Sequence, residues 1–445
     1  MRTSPTRTGS SASSTTRRGT ASAPAPRSSA TSRSGPTLPT SRGSGSISPS
    51  SGAERPGASP VVSETFDVVV IGGGVIGASV AHHLLERAPR LRVLLLEREP
   101  DVGTGATSKA TGGVRHQFST EANVRLTLLS YPCFAEAEER LGRPVDFVRH
   151  GYLFVTASPA TLESARRGVD LQRSLGVASE VLAPAECGRL LPALVTADLA
   201  GGTFCADDGS ADPYALLHAF LALARGRGLA VRTGEPVVGV SVSGGRVTGV
   251  GTPRGAVEAP VVVNCAGPHG DEVGAMAGVA IPSRPYRRQV LVAERVAALP
   301  EVFPLTVDLD TGWYVHSQRS AVLMGGTDKD RHPGHDTTVD WSAFGAVLDA
   351  AARRVPPLAE ARVMRAYAGV RDLTPDYHGI LCEAPEVRGF YIACGFSGHG
   401  FMHSPAIGRL VAELIVDGRA ASMDVAALDL RRFSRGAATA EATMF

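Results

Sequence analysis

Lysine is almost missing from this chain. Of its 45 Lys and Arg residues only Lys109 and Lys329 are lysines, which leaves 45 − 2 = 43 arginines. Chemistry that needs a lysine is therefore confined to two positions. Cysteine is also scarce: six residues (Cys133, Cys187, Cys205, Cys265, Cys382 and Cys394) are scattered with no C-x-x-C pair. That spacing argues against a disulfide framework and a zinc site, and it suits a reducing cytoplasm, the expected localisation. No apolar run is long enough for a membrane-spanning helix, because each is broken by Gly or charge. No internal repeat is visible.

Residues 1–62 have almost no large apolar side chains. They carry eight Arg against one acid, Glu54, a balance of +7, so the remaining chain carries +2 − 7 = −5. Such a Ser-, Pro- and Arg-rich segment cannot bury enough apolar surface to fold and reads as a disordered tail. Arg- and Ser-rich, acid-poor composition is also a mark of transit peptides, but the apolar residues for an amphipathic helix are lacking. The mildly acidic body holds no basic block, so nucleic acid is not expected as a partner.

What the chain does have is length enough for a large core and two domains. Its most specific stretch is Asp67-Val-Val-Val-Ile-Gly-Gly-Gly-Val-Ile-Gly77. This reads as a buried strand, a glycine turn and a helix start, with Gly72, Gly74 and Gly77 in G-x-G-x-x-G spacing. The glycines permit a tight turn, backbone approach to a pyrophosphate and close helix–strand packing. The helix start, through Val75 and Ile76, offers free N–H groups to phosphates. A second strand, Arg92–Glu97, ends in a carboxylate 20 residues after Gly77, where it can take a ribose diol; Arg98 adjoins it. A dinucleotide follows from this motif, with NAD and FAD both open.

Further along, a glycine-rich segment 103–113 precedes a helical stretch expected from about Glu121 to Leu141. Residues 146–157 read as two short strands and 160–191 as small helices. Asp212-Pro213 opens a helix to about Arg225, with Asp as N-cap. Strands are expected at 229–233, 236–243 and 246–252, the last two joined by a Gly-Gly hairpin turn, and at 259–265. Residues 286–328 are β-rich, with strands at 289–293, 313–316 and 321–325, and a helix spans about 342–354. A final strand, 389–394, leads into Gly395-Phe-Ser-Gly-His-Gly400. The last helix is expected to start at Ser404 and Pro405 and to end at Gly418.

Taken together, four segments in order resemble the D-amino-acid-oxidase-like family of FAD-dependent oxidoreductases. Within it the β subunits of sarcosine oxidase and of amine- or proline-oxidising dehydrogenase complexes are most similar. The segments are the glycine motif with Glu97, the loop Gly105–Arg115, Asn264-Cys-Ala-Gly-Pro-His269, and Gly369-Val-Arg-Asp-Leu-Thr-Pro-Asp376 with Gly395–Phe401. The resemblance implies an α/β fold: a discontinuous Rossmann-like FAD-binding domain on a parallel sheet (63–145, 207–283, 368–430). An α+β substrate domain on a mostly antiparallel sheet (146–206, 284–367) is inserted, and 431–445 trail as a tail. Cofactor contacts are implied for Ala106, Thr107, Ser108 and Lys109, for the backbone of Val237 or Val238, for Ala266 and Gly267, and for Gly395, Gly398, His399, Gly400, Phe401 and Met402. Val237 and Val238 read equally well as a core strand.

The implied reaction is oxidation of the C–N bond of a small amino acid or secondary amine (sarcosine-, proline- or glycine-like) by hydride transfer to flavin. Arg115 is the expected carboxylate residue, since a guanidinium fork matches a carboxylate; a surface arginine is the plain alternative. Trp313, Tyr314, His116 and His316 are expected near the pocket, with core packing as the alternative for Trp313 and Tyr314. Arg371 is expected at flavin or substrate, or else in an ion pair with Asp376. Relatives that attach FAD covalently do so through His or Cys, where this chain has Ser108-Lys109-Ala110 and Arg319-Ser320-Ala321; the FAD is expected to be non-covalent. Oxidase relatives carry Lys after Gly-His-Gly-Phe and another before Pro-Tyr-Arg. Here Met402 and a lysine-free stretch before Pro285 favour a dehydrogenase, with oxygen or a redox partner as acceptor and further subunits possible. A NAD(P)-dependent dehydrogenase and a non-catalytic FAD subunit remain the alternatives.

Overall fold

The computed structural model describes residues 64–326 and 333–443; Lys329 and the expectations for residues 1–62 fall outside this range. At its centre is a six-stranded sheet in the order Ala230–Arg232, Val93–Leu96, Val68–Ile71, Val261–Asn264, Phe390–Cys394, Ile380–Glu383. All pairs are parallel except the last. Val68–Ile71 and Val93–Leu96 are buried at every position, as parallel strands covered on both faces must be. Val68, Val70, Val93 and Leu95 pack with the helices Val75–Arg87, Pro213–Gly226 and Gly400–Asp417. Val69, Ile71, Leu94 and Leu96 face the other way, against Val247, Val257, Val273 and Ile281. Each such buried side chain contributes roughly 1.5–3 kcal/mol.

Register matters more for function than packing. Ile71 lies opposite Leu96 and Asn264, and Asn264 lies opposite Ile392. The carboxyl ends of four strands therefore share one edge, and the residues that follow them (Gly72, Glu97, Cys265-Ala266 and Gly395) start their loops there. Ligands of open α/β sheets bind at that edge.

The second sheet has eight strands, in the order Val363–Leu373, Arg284–Glu294, Ala321–Gly325, Tyr314–Gln318, Leu305–Asp308, Tyr152–Thr156, Gly201–Cys205, Ser179–Leu182. Its pairs are antiparallel except Leu305–Asp308 with Tyr152–Thr156. This is the α/β class expected, a parallel-centred sheet drawn from separated segments with a mostly antiparallel sheet formed from stretches between them. Asp212 caps its helix as read, accepting from Tyr214 N at 2.8 Å and Ala215 N at 3.2 Å. Gly244 and Gly245 both take positive φ in the hairpin turn, which suits a type I′ loop.

Several elements differ from the reading. The helix expected over 121–141 is three pieces, Glu121–Ser130, Pro132–Ala135 and Ala137–Leu141, because Pro132 has no N–H to continue the first ladder. Residues 160–191 hold one 16-residue helix, Pro159–Ser174, and then a strand, Ser179–Leu182, before the short helix Pro184–Leu190. The 11-residue strand Val363–Leu373 was not anticipated. The last helix starts at Gly400, not Ser404, and runs through Pro405 to Asp417, with Gly418 left-handed at φ 74°. It tolerates the proline because Ser404 Oγ donates to the Phe401 carbonyl at 2.9 Å that Pro405 cannot reach. Ala406 N meanwhile bonds Ser130 Oγ at 3.1 Å. Among the described residues no helix is long and apolar enough to cross a membrane.

Candidate active site

The glycine turn packs as tightly as its spacing suggests. Gly72 has φ +110°, and a Cβ on it would lie 2.4 Å from the Cys265 carbonyl oxygen; one on Gly77 would lie 2.0 Å from the Gly72 oxygen. Gly74 is the N-cap of the Val75–Arg87 helix and offers no side-chain cap. Of the N-terminal N–H groups, Val75 N is taken by Thr107 Oγ1 at 3.1 Å. Thr107 thus joins the 106–109 turn to the phosphate motif. That turn is the short helix Ala106–Lys109, with Ala106 and Lys109 exposed and Ser108 bonded to the Thr104 and Gly105 carbonyls.

Glu97 is half-buried. Its carboxylate accepts Gly73 N at 2.7 Å and Glu99 N at 2.9 Å, so it also orders the glycine loop. Arg98 is exposed and pairs with Glu99. Val238 is exposed and Val237 half-buried on the approach to the 239–243 strand. Ala266 and Gly267 follow the Val261–Asn264 strand; Ala266 N is held by Asn264 Oδ1 at 3.2 Å, and nothing lies within 4 Å of a Cβ position on Gly267.

At the far end of the same edge sits the 395–400 turn. Gly395 and Gly398 have positive φ, as does the non-glycine Ser397 at 53°. Ser397 is fixed there because its N donates to the Asp372 carbonyl at 3.0 Å and its Oγ accepts Thr374 N at 3.2 Å. A Cβ on Gly398 would lie 2.9 Å from Arg371 Cδ, and one on Gly400 3.1 Å from Ile76 Cδ1. The two helix starts, at Val75 and Gly400, are therefore neighbours, and both present the positive end of a helix dipole to this edge. The N–H groups of Gly400, Phe401 and Met402 belong to that first turn, nearer the glycines than a start at Ser404 would have placed them.

Asp372, which the sequence reading passed over inside its own motif, accepts Gly395 N at 2.6 Å. Burial pushes its carboxyl up to about 6, against the opposing bonds from Gly395 and Phe396 N–H. His399 is buried and stays neutral, since burial and then the Arg115 charge hold its pKa far down. Its Nε2 lies 3.2 Å from Arg115 Nη2. A guanidinium only donates, so Nε2 accepts and the proton sits on Nδ1. That Nδ1 is a buried donor with no partner.

Arg115 is only 1% exposed, so the alternative of a surface arginine does not hold. Nη1 donates to the Gln117 carbonyl, Nη2 to the Thr443 carbonyl at 2.8 Å, and the guanidinium lies 3.9 Å from the centre of the Phe118 ring. Trp313 and Tyr314 are buried. The phenol of Tyr314 feels, after burial, Tyr367, Arg371 and Arg288, and that of Tyr152 feels Arg115, Asp208, Tyr314 and Arg371. These side chains therefore form one neighbourhood that joins Arg115 to Arg371. His316 is fully buried; burial and then His150 pull its pKa down to about 3, against a backbone contact at Thr111. His116 is tied to Asp208 at 2.8 Å. Asp376 is held by Arg432 Nε at 2.7 Å and Nη2 at 3.1 Å.

The stretch 431–445 was expected to trail as a tail. Instead Glu441 is buried against the helix start at Ser119–Asn123, and Thr443 reaches Arg115. Nothing local in the sequence signals this, because the contacts span more than 300 positions.

These residues fit an FAD. A cradle that excludes a Cβ, a helix start with no side-chain cap, an orphaned buried donor at His399 and four strand ends on one edge suit a long ligand rather than half a dinucleotide. Comparison with known proteins agrees. The family model described as DAO, FAD dependent oxidoreductase, matches residues 67–414. Human mitochondrial sarcosine dehydrogenase is 32% identical over 394 residues, covering 85% of this chain and 42% of that protein. The 4-methylaminobutanoate oxidase (formaldehyde-forming) of Paenarthrobacter nicotinovorans is 29% identical, over 82% of this chain and 45% of its own length. The chain thus spans less than half the length of these two relatives. Among solved structures, L-proline dehydrogenase from P. horikoshii superposes with TM-score 0.79 at 30% identity, covering 84% of this chain and 99% of that one. On its motifs, its fold and these matches, the chain belongs to the DAO family of FAD-dependent oxidoreductases.

Proposed function

We propose that this chain oxidises the C–N bond of a small amino acid or secondary amine that carries a carboxylate. The observation that carries the reading is the meeting of the glycine turn, Glu97, the 266–267 turn and the Gly400 helix start at one sheet edge, next to buried Arg115 and a Tyr314 phenol that feels the Arg371 charge. FAD, when bound, supplies the two-electron acceptor that no side chain here provides. Gly72, Gly74, Gly77 and Thr107 hold the phosphates in this reading, and Glu97 takes the adenosine ribose. The N–H groups from Gly400 to Met402 offer positive potential to charge that develops at the reactive end. No His or Cys stands at the positions that carry covalent flavin in relatives, so the FAD is held non-covalently.

Arg115 and Arg371 orient the substrate carboxylate, while Tyr314 and His316 wall the pocket. His316 and His399 are kept neutral by burial, so neither adds a charge that would repel an amine approaching in its cationic form. The amine reacts once it is neutral, and the imine product hydrolyses in water. Met402 and the lack of a lysine before Pro285 favour a redox partner over oxygen as acceptor, with further subunits as its source. Six free cysteines, five of them buried, suit a reducing cytoplasm. The domain boundaries given from the sequence are kept in this reading except at 431–445, where Glu441 and Thr443 pack on the body, and at 368–373, which complete a strand of the eight-stranded sheet.

The roles of the arginines are tested by substitution. Arg115→Ala and Arg371→Ala should each raise KM for a carboxylate-bearing amine by about 2–4 kcal/mol, roughly 30- to 900-fold, as expected when a desolvated charge pair is lost. An unchanged KM in either variant removes that residue from the carboxylate site. Acid precipitation of the holoenzyme should leave all yellow colour in the supernatant; colour in the pellet would contradict non-covalent binding.

A further inference from the structure

Residues 441–443 cross back to the loop that carries Arg115. The buried carboxylate of Glu441 accepts Ser119 N at 2.8 Å, Ser119 Oγ at 2.6 Å, Thr120 Oγ1 at 2.8 Å and Asn123 Nδ2 at 3.0 Å. These groups open the Glu121–Ser130 helix, whose N-cap Thr120 makes no cap with its own side chain. A carboxylate from elsewhere in the chain thus gathers the Ser119 N–H and three side chains at the start of this helix. The backbone of the segment is bonded too. Glu441 N donates to the Asp376 carbonyl at 3.0 Å, Ala442 N to Ser119 Oγ at 2.8 Å and Thr443 N to Glu441 Oε1 at 3.0 Å.

So ordered, the segment holds the Thr443 carbonyl 2.8 Å from Arg115 Nη2. That nitrogen is decisive. A guanidinium grips a carboxylate with two prongs either through Nε and Nη2 or through Nη1 and Nη2. Both edges need Nη2, and both of its hydrogens are spoken for, one by Thr443 and one by His399 Nε2. His399 is buried at the N-cap position of the Gly400 helix. Thr443 lies in a strap fastened mainly through the Glu441 carboxylate, so it is the acceptor that can leave.

We propose that Glu441 is a positioning residue of the carboxylate site: it clasps the C-terminal segment so that Thr443 occupies the two-pronged edge of Arg115, and a carboxylate engages Arg115 only by displacing that segment. This rests on Arg115 being a carboxylate residue. A closed strap lowers apparent affinity by the fraction of time that the edge is open. It therefore acts as a filter, because a ligand must recover the cost of opening through its own contacts with Arg115.

The test uses the FAD-loaded full chain and methoxyacetate, which keeps the shape of sarcosine but replaces the amine by an ether and cannot be oxidised. Binding is read from the shift of the flavin absorbance band. Glu441→Ala should bind methoxyacetate about tenfold more tightly than the parent chain, with Glu441→Gln in between. Asn123→Ala, which removes one donor of the clasp, gives an independent route to the same gain if Glu441→Ala folds poorly. General damage to the fold would weaken binding, not tighten it. In the parent chain, saturating methoxyacetate should speed hydrogen exchange at the amides of Glu441, Ala442 and Thr443. Unchanged or weaker binding in the clasp variants, or unchanged exchange, overturns the strap while Arg115→Ala still weakens binding. If Arg115→Ala binds methoxyacetate like the parent chain, the carboxylate role of Arg115 is lost and the proposal with it.

Discussion

A hydrogen atom in place of a methyl group decides whether the first turn can close. At Gly72 and Gly77 a Cβ would meet backbone oxygens at 2.4 Å and 2.0 Å, and backbone has no rotamer with which to yield. Gly77→Ala should cost about 1–3 kcal/mol through overpacking and should empty the cofactor site, read as a lower Tm and a colourless protein. Gly105→Ala, where nothing lies within 4 Å, serves as the control and should do neither. These glycines were legible because the constraint is local and leaves a spacing behind.

Asp372 was less legible, although it follows Arg371 directly, because its importance comes from a partner 23 positions away at Gly395 N. Its pKa is raised from 3.8 to about 6. The folded form therefore holds the proton more tightly than the unfolded one. The stability this adds is complete below about pH 4 and is lost as pH rises through 6, on the order of 1–3 kcal/mol. Chemical denaturation of the apoprotein at pH 4.5 and 7 should show that loss in the parent chain and a smaller one in Asp372→Asn. Equal pH dependence in the two would contradict the assignment.

At the scale of elements, the sequence signals that misled were real signals with a different use. Ser404-Pro405 has the form of a helix start, yet Ser404 lends its hydroxyl to the Phe401 carbonyl and the helix runs back to Gly400. The strand Val363–Leu373 went unread because its exposed half, Val363 to Arg365, and its inner half, Ala368 to Leu373, follow no single alternation. The C-terminal clasp is an element in its own right. Burial opposes ionisation of Glu441, but Ser119, Arg115 and Asn123 outweigh it and hold the pKa at about 2, against 4.5 unperturbed. The sign is opposite to that of Asp372: the clasp is complete above pH 4.5 and is lost as pH falls toward 2, worth on the order of 3 kcal/mol before relaxation. Glu441→Gln should remove most of that acid dependence, as followed by proteolysis of the C-terminal segment between pH 3 and 6.

At the scale of the whole molecule, what makes the site is register. Four strands separated by up to some 300 positions end at one edge, so a bound FAD ties early, middle and late sequence together. It should then stabilise the entire fold. At a hundredfold excess over Kd the gain is about 2.7 kcal/mol, seen as a rise of several degrees in Tm on adding FAD to apoprotein. NAD, which has no use for the Gly400 helix start, should give none. The order of the motifs made this much readable in advance. The contacts that finish the site, Arg115 with Thr443 and Asp376 with Arg432, join surfaces brought together only by folding.

The central claim is that this chain passes electrons from a C–N bond to its flavin. The most direct measurement is anaerobic titration of the purified yellow protein with sarcosine, proline, glycine and a D-amino acid, following the flavin band. The account predicts stoichiometric bleaching by at least one carboxylate-bearing amine, and slower recovery with oxygen than with an artificial acceptor. A flavin that none of these amines bleaches, though dithionite does, would contradict it.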